Sequence, residues 1–76
     1  MAEQAFVLVK VKSGTSEAVE DSLADLPGVK LCHSVMGPYD VVVFVEGTTI
    51  GGLRDMIMKK IRSTPGVSRT TTLLVM

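Results

Sequence analysis

The sequence predicts an α+β fold with the element order βαββαβ, and three observations carry that prediction. Two segments, residues 5–12 and 41–45, are β-branched and apolar without alternation, as strands covered on both faces must be. Two other segments space their apolar residues at helical intervals. The tripeptide Pro-Gly-Val occurs at 27–29 and again at 65–67, each time between a predicted helix and a predicted strand.

The elements follow in order. Residues 5–12, Ala-Phe-Val-Leu-Val-Lys-Val-Lys, form a first strand whose basic end reaches solvent. Ser13-Gly14-Thr15 turns the chain into a helix with Thr15 or Ser16 as N-cap. Glu17, Glu20 and Asp21 lie in its early turns, where they complement the macrodipole. Val19, Leu23 and Leu26 make its buried stripe, and Pro27-Gly28 stops it. A second strand spans about Val29 to Met36, with Val29, Leu31, His33 and Val35 on one face and Lys30, Cys32, Ser34 and Met36 on the other. Its mixed polarity suits a sheet edge.

The short Gly37-Pro38-Tyr39 turn forces the next strand, beginning near Asp40, to pair antiparallel with the second. Gly47-Thr48-Thr49 opens a second helix with Ile50, Leu53, Ile57 and Ile61 along one stripe, and Thr64-Pro65-Gly66 stops it. Residues 67–75 form a fourth strand rich in Thr, Leu and Val.

A split βαββαβ chain forms a ferredoxin-like arrangement, a four-stranded antiparallel sheet with both helices on one face and strands one and three in the middle. The two most apolar strands are the first and third, so composition and topology agree. Helices on one face leave the other open, yet strand three offers both Val41, Val43, Val45 and Val42, Phe44, and strand one offers both Val7, Val9, Val11 and Phe6, Leu8. Burying a large apolar side chain contributes roughly 1.5–3 kcal/mol. Four such residues on an open face give a gross drive on the order of 10 kcal/mol toward dimerisation through the sheet, a dimeric α+β barrel.

The chain has 76 residues, room for one domain over 1–76 that buries only roughly 60 % of its unfolded surface. Its 8 basic residues balance 8 acidic ones, which speaks against nucleic-acid or membrane-surface binding and removes the repulsion that opposes self-association. The N-terminus lacks the pattern of a secretory signal, no apolar run approaches a transmembrane span, and Cys32 is the only cysteine. A cytoplasmic location is the simplest expectation.

Few residues carry chemistry. Cys32 and His33 are adjacent in a strand and point to opposite faces, so they share neither a metal ion nor a proton within one subunit. Met56 and Met58 read as packing on the second helix. Arg54, Lys59, Lys60 and Arg62 form a basic side that suits a solvated face near a helix C-terminus. Gly51-Gly52 has the spacing of no phosphate-binding loop. No catalytic residue, metal site or cofactor is predicted. Gly37-Pro38-Tyr39-Asp40 has two readings: a plain β-turn, or a small-ligand site with backbone N–H groups for a carboxylate, Asp40 for an ammonium and Tyr39 as a wall.

The string Cys32-His33-x-Val35-x-Gly37-x-Tyr39-Asp40, followed by the apolar strand, the second helix, Pro65-Gly66-Val67 and Thr70-x-Thr72-Leu73-Leu74-Val75, resembles the C-terminal effector (RAM) domain of the Lrp/AsnC family over nearly the whole chain. The resemblance is to a stand-alone version of that domain, without the family's helix-turn-helix. It implies amino-acid sensing, no direct DNA binding, dimers formed through sheets, and octameric or similar rings of dimers with a small amino-acid effector held between them. Carried over residue by residue, it implies a ligand site at Gly37, Tyr39 and Asp40, with Ser34, Pro38, Thr70 and Thr72 as neighbours. Pro38 departs from the pattern by removing a backbone donor, and the Thr48 to Gly52 segment departs by being glycine-rich.

Three functions compete. The leading one is a non-enzymatic module that binds a free amino acid or similar metabolite and converts occupancy into assembly state. The second is a small dimeric α+β barrel enzyme of monooxygenase or isomerase type, for which His33 is the only histidine available. The third is an oligomerisation partner that mixes with full-length Lrp/AsnC regulators.

Overall fold

The computed structural model describes residues 2–76. Strand β1 (Glu3–Val11) leads into helix α1 (Ser16–Ala24), then strands β2 (Val29–Ser34) and β3 (Val41–Gly47). Helix α2 (Ile50–Met56) runs directly into a π-helical segment (Ile57–Ile61), and β4 (Val67–Leu74) closes the chain. The sheet order is β2-β3-β1-β4 and every pairing is antiparallel, which puts the two most apolar strands in the centre, as predicted.

Odd-numbered residues of β1 and β3 face the helices. Val7, Val9, Val41, Val43 and Val45 are fully buried there with Val19 and Leu23 of α1 and Leu53, Ile57 and Ile61 of the second helix. The even-numbered set faces away. Its register forms two rows across all four strands, Leu31–Phe44–Phe6–Leu73 and His33–Val42–Leu8–Thr71. Phe6 and Phe44 pack against each other with ring centroids 4.8 Å apart, and the ends of the first row stay open, Leu31 at 55 % and Leu73 at 51 % exposure.

β2 and the second helix differ from the sequence pattern. β2 ends at Ser34, Val35 N–H makes one further bond to the Asp40 carbonyl, and Met36 points wholly into solvent. A register shift between Val29 and Leu31 places Val29 opposite Val45 on the helix side, whereas Leu31 lies opposite Phe44 on the open side. Ile50 is exposed at the start of α2 and does not join the stripe of Leu53, Ile57 and Ile61. That stripe steps by four, overshooting a 3.6-residue turn by about 0.4 residue each time. The wider turn, in which Arg62 N–H donates to the Ile57 carbonyl, absorbs the drift and keeps Ile57 and Ile61 in the core.

The repeated Pro-Gly-Val segments do equivalent work in the two halves. Gly28 and Gly66 adopt φ of 92° and 95°, the left-handed conformation that ends a helix most cheaply at glycine. The Gly28 carbonyl accepts from Glu46 N–H at the end of β3, and the Gly66 carbonyl accepts from Lys12 N–H just past β1. Each turn therefore locks its helix exit to the central strand of the other half.

Candidate functional site

The loop between β2 and β3 is closed at its base by Val35 N–H donating to the Asp40 carbonyl, and only its second half is tied to β1 and β4. Gly37 takes φ 143° with open space around it, and Pro38 is exposed. Asp40 instead extends the sheet by one step: its N–H donates to the Val9 carbonyl, and its carboxylate Oδ2 accepts from Val11 N–H at 2.9 Å. Lys10 Nζ lies 3.8 Å from the same oxygen. The Asp40 carboxylate thus closes the β1 edge where the backbone ladder ends, and one of its oxygens is already engaged.

Tyr39 crosses over β1 to reach β4, where its hydroxyl lies 2.6 Å from Thr71 Oγ1. Thr71 pairs with Leu8, so this contact stands on the open face. Beside Asp40 a polar recess of about 440 Å³ is lined by Lys10, Lys12, Ser13, Gly14 and Ser16. Two lysines against one engaged carboxylate make the recess suited to an anionic group.

The other residues singled out by sequence lie apart from this contact. Ser34 faces α1, its hydroxyl donating to Glu20 Oε1 at 2.6 Å. Thr70 and Thr72 pair with Val9 and Val7, which puts them on the helix side of β4, the face opposite Thr71. Thr72 lines an apolar cavity of about 220 Å³ between the second helix and β4, together with Ile50, Leu53, Ile57, Met58 and Leu74. The run of three threonines gives no alternation of polarity from which to tell its faces. Thr71 therefore becomes visible only once the register with β1 is set.

Cys32 and His33 do fall on opposite faces. Cys32 sits half-buried under α1, where its thiol donates to the Glu20 carbonyl at 3.5 Å. Burial pushes the thiol pKa up, and the charges of Glu20 and Asp21 push it further, so it is a poor nucleophile near neutrality. His33 is exposed on the open face opposite Val42. Among the described residues no group of three His, Cys, Asp or Glu side chains is placed to hold a metal ion, and no helix is long and apolar enough to cross a membrane.

Known proteins resemble this chain in sequence and in fold. Residues 4–76 match the family model described as the Lrp/AsnC ligand binding domain. The HTH-type transcriptional regulator FL11 of Pyrococcus horikoshii is 36 % identical over 72 residues, covering 95 % of this chain and 47 % of that protein. Homocitrate synthase of Sulfurisphaera tokodaii is 38 % identical over 74 residues, covering 96 % of this chain but 16 % of the enzyme. Among solved structures, FFRP-DM1 superposes with a TM-score of 0.93 at 34 % identity, covering 97 % of this chain and 99 % of that one. The chain thus spans about half the length of the curated regulator it matches, a small part of the enzyme, and nearly all of the solved structure.

Proposed function

The chain belongs to the Lrp/AsnC ligand-binding domain family, and from that premise we propose that it is a non-enzymatic sensor of a free amino acid or similar small metabolite. The ligand sits at the Gly37 to Asp40 loop, its carboxylate drawn toward the polar recess carrying Lys10 and Lys12. Occupancy is converted into assembly state, because the loop borders the face through which two copies associate. What supports this reading above all is the open face itself. The row Leu31–Phe44–Phe6–Leu73 crosses the whole sheet without a covering layer.

Charged and polar residues bound that apolar centre. At one end Gln4 Nε2 donates to Glu46 Oε2 and Lys30 pairs with Glu46, and at the other Lys10 lies opposite Arg69. An apolar centre within a polar rim is the composition of a protein–protein interface. Two sheets meeting there form the dimer, and dimers meeting at the loops enclose the ligand in a ring of octameric or similar size. Mixed assembly with full-length regulators of the family uses the same faces.

A ligand changes assembly only by binding one state better than another. Thermal unfolding across a panel of the amino acids tests the sensor: a ligand at one hundred times its dissociation constant stabilises by about 2.7 kcal/mol. Light scattering on the same samples should register a change in particle mass. A flat panel rejects sensing, and a monomer at all concentrations rejects the sheet-face dimer.

A further inference from the structure

We propose that Thr71 is a positioning residue for the Gly37 to Asp40 loop, and that its hydrogen bond to Tyr39 links the loop to the open sheet face. The proposal rests on the functional reading above for the roles of loop and face, but its geometry stands without any ligand.

The loop is held at two points on two strands. Asp40 is bonded to the β1 backbone at Val11, and Tyr39 reaches past β1 to Thr71 of β4, a residue 32 positions away in the chain. The first tie lies in the line of the β1–β3 ladder and repeats what a backbone pair would do there. The second lies on a surface. Thr71 belongs to the row His33–Val42–Leu8–Thr71, so the phenol rests at the margin of the apolar face where that face meets Lys10 and Arg69.

Displacing Tyr39 from the loop side therefore moves a large half-buried side chain on the association surface. A second copy seated on that surface restrains Tyr39 in turn. Linkage makes the coupling equal in both directions. The preceding residues carry no such tie: a β-carbon added at Gly37 would meet nothing within 4 Å, and Pro38 is exposed. The hydroxyl pair thus decides whether the loop stays folded onto the face or swings free of it.

Thr71→Val and Tyr39→Phe each remove one partner while keeping shape and strand preference. Thr71→Ser keeps the hydroxyl and loses the methyl. Two measurements apply to the whole chain without ligand: amide hydrogen exchange at residues 35–40, and the self-association constant from sedimentation. Thr71→Val and Tyr39→Phe should each speed exchange in the loop and weaken association about fivefold, the worth of one neutral hydrogen bond. The double variant should lose no more than either single one, because the same bond is lost once. Thr71→Ser should stay near wild type in both. The proposal is overturned if Thr71→Val leaves either measurement unchanged, if the double variant is additive, if Thr71→Ser behaves as Thr71→Val, or if the wild type does not self-associate. A flat amino-acid panel alongside a weakened Thr71→Val dimer would instead reject sensing and leave the coupling intact.

Discussion

Val43 and Phe44 are neighbours on the central strand β3, and they sit in opposite environments. Val43 is at 0 % exposure beneath the helices, within an apolar set drawn from every layer of the domain. Phe44 is shielded mainly by Phe6 and by its own row, with open ends at Leu31 and Leu73. Both faces are apolar, but one is closed by the helices of the chain itself and the other has no covering layer. The helix face makes the fold, and the open face remains available for association.

The same substitution on each face separates these roles most sharply. A domain of this size carries a stability of about 4–11 kcal/mol, and an unpaired carboxylate buried in a dry core costs several kcal/mol. Val43→Asp should therefore abolish the cooperative urea transition and the far-ultraviolet dichroism of the folded chain. Phe44→Asp should keep that dichroism, sediment as a monomer, and unfold at lower urea because association no longer adds stability. If Phe44→Asp is as unfolded as Val43→Asp, the two faces do not differ in kind.

Glycines on the helix side give a smaller and graded contrast. A β-carbon at Gly66 would stand 2.7 Å from Val19 Cγ2, one at Gly28 would meet the Glu46 carbonyl at 3.0 Å, and one at Gly14 would meet nothing within 4 Å. All three have positive φ, which costs a non-glycine residue roughly 1–2 kcal/mol. Overpacking adds about 1–3 kcal/mol where the neighbour cannot move. Loss of stability in urea should thus fall in the order Gly66→Ala, about 2–5 kcal/mol, then Gly28→Ala, then Gly14→Ala at about 1–2 kcal/mol. These variants should leave the association of the folded chain unaltered. Equal losses at Gly14 and Gly66 would remove Val19 contact as the cause.

What the sequence made legible follows from how local each feature is. The unbroken run Val41 to Val45 announces a central strand apolar on both sides, and the central placement of β1 and β3 follows from the βαββαβ order. The loop of Gly37 to Asp40 is legible because its turn residues are contiguous. Which apolar set meets the helices was not, since odd and even positions of both strands carry large side chains and alternation is absent. Thr71 was hidden for a related reason. Its face depends on the pairing of β4 with β1, which shifts between Lys10 and Val11, and no pattern within Thr70-Thr71-Thr72 records that shift.

Cys32 and His33 offer the finest test of the two faces, because a single peptide bond separates them and the strand directs them oppositely. The Cys32 thiol lies under α1, and its pKa is raised by burial first and then by Glu20 and Asp21. Its reaction with iodoacetamide should be several-fold slower than that of a free thiol at pH 8, since the thiolate is the reacting species. The sign of the pH effect on stability follows from the same shift. With the folded pKa above the unfolded one, the unfolded chain loses this proton first as pH rises, so stability present below pH 9 declines above it. Cys32→Ser should flatten that alkaline decline slightly and leave sedimentation unchanged, because the thiol does not reach the open face. His33→Ala should do the reverse, altering association while leaving the alkaline decline in place. Fast alkylation of Cys32 at pH 8, or a Cys32→Ser variant that changes association, would mean that the edge strand β2 does not divide the two environments as its register requires.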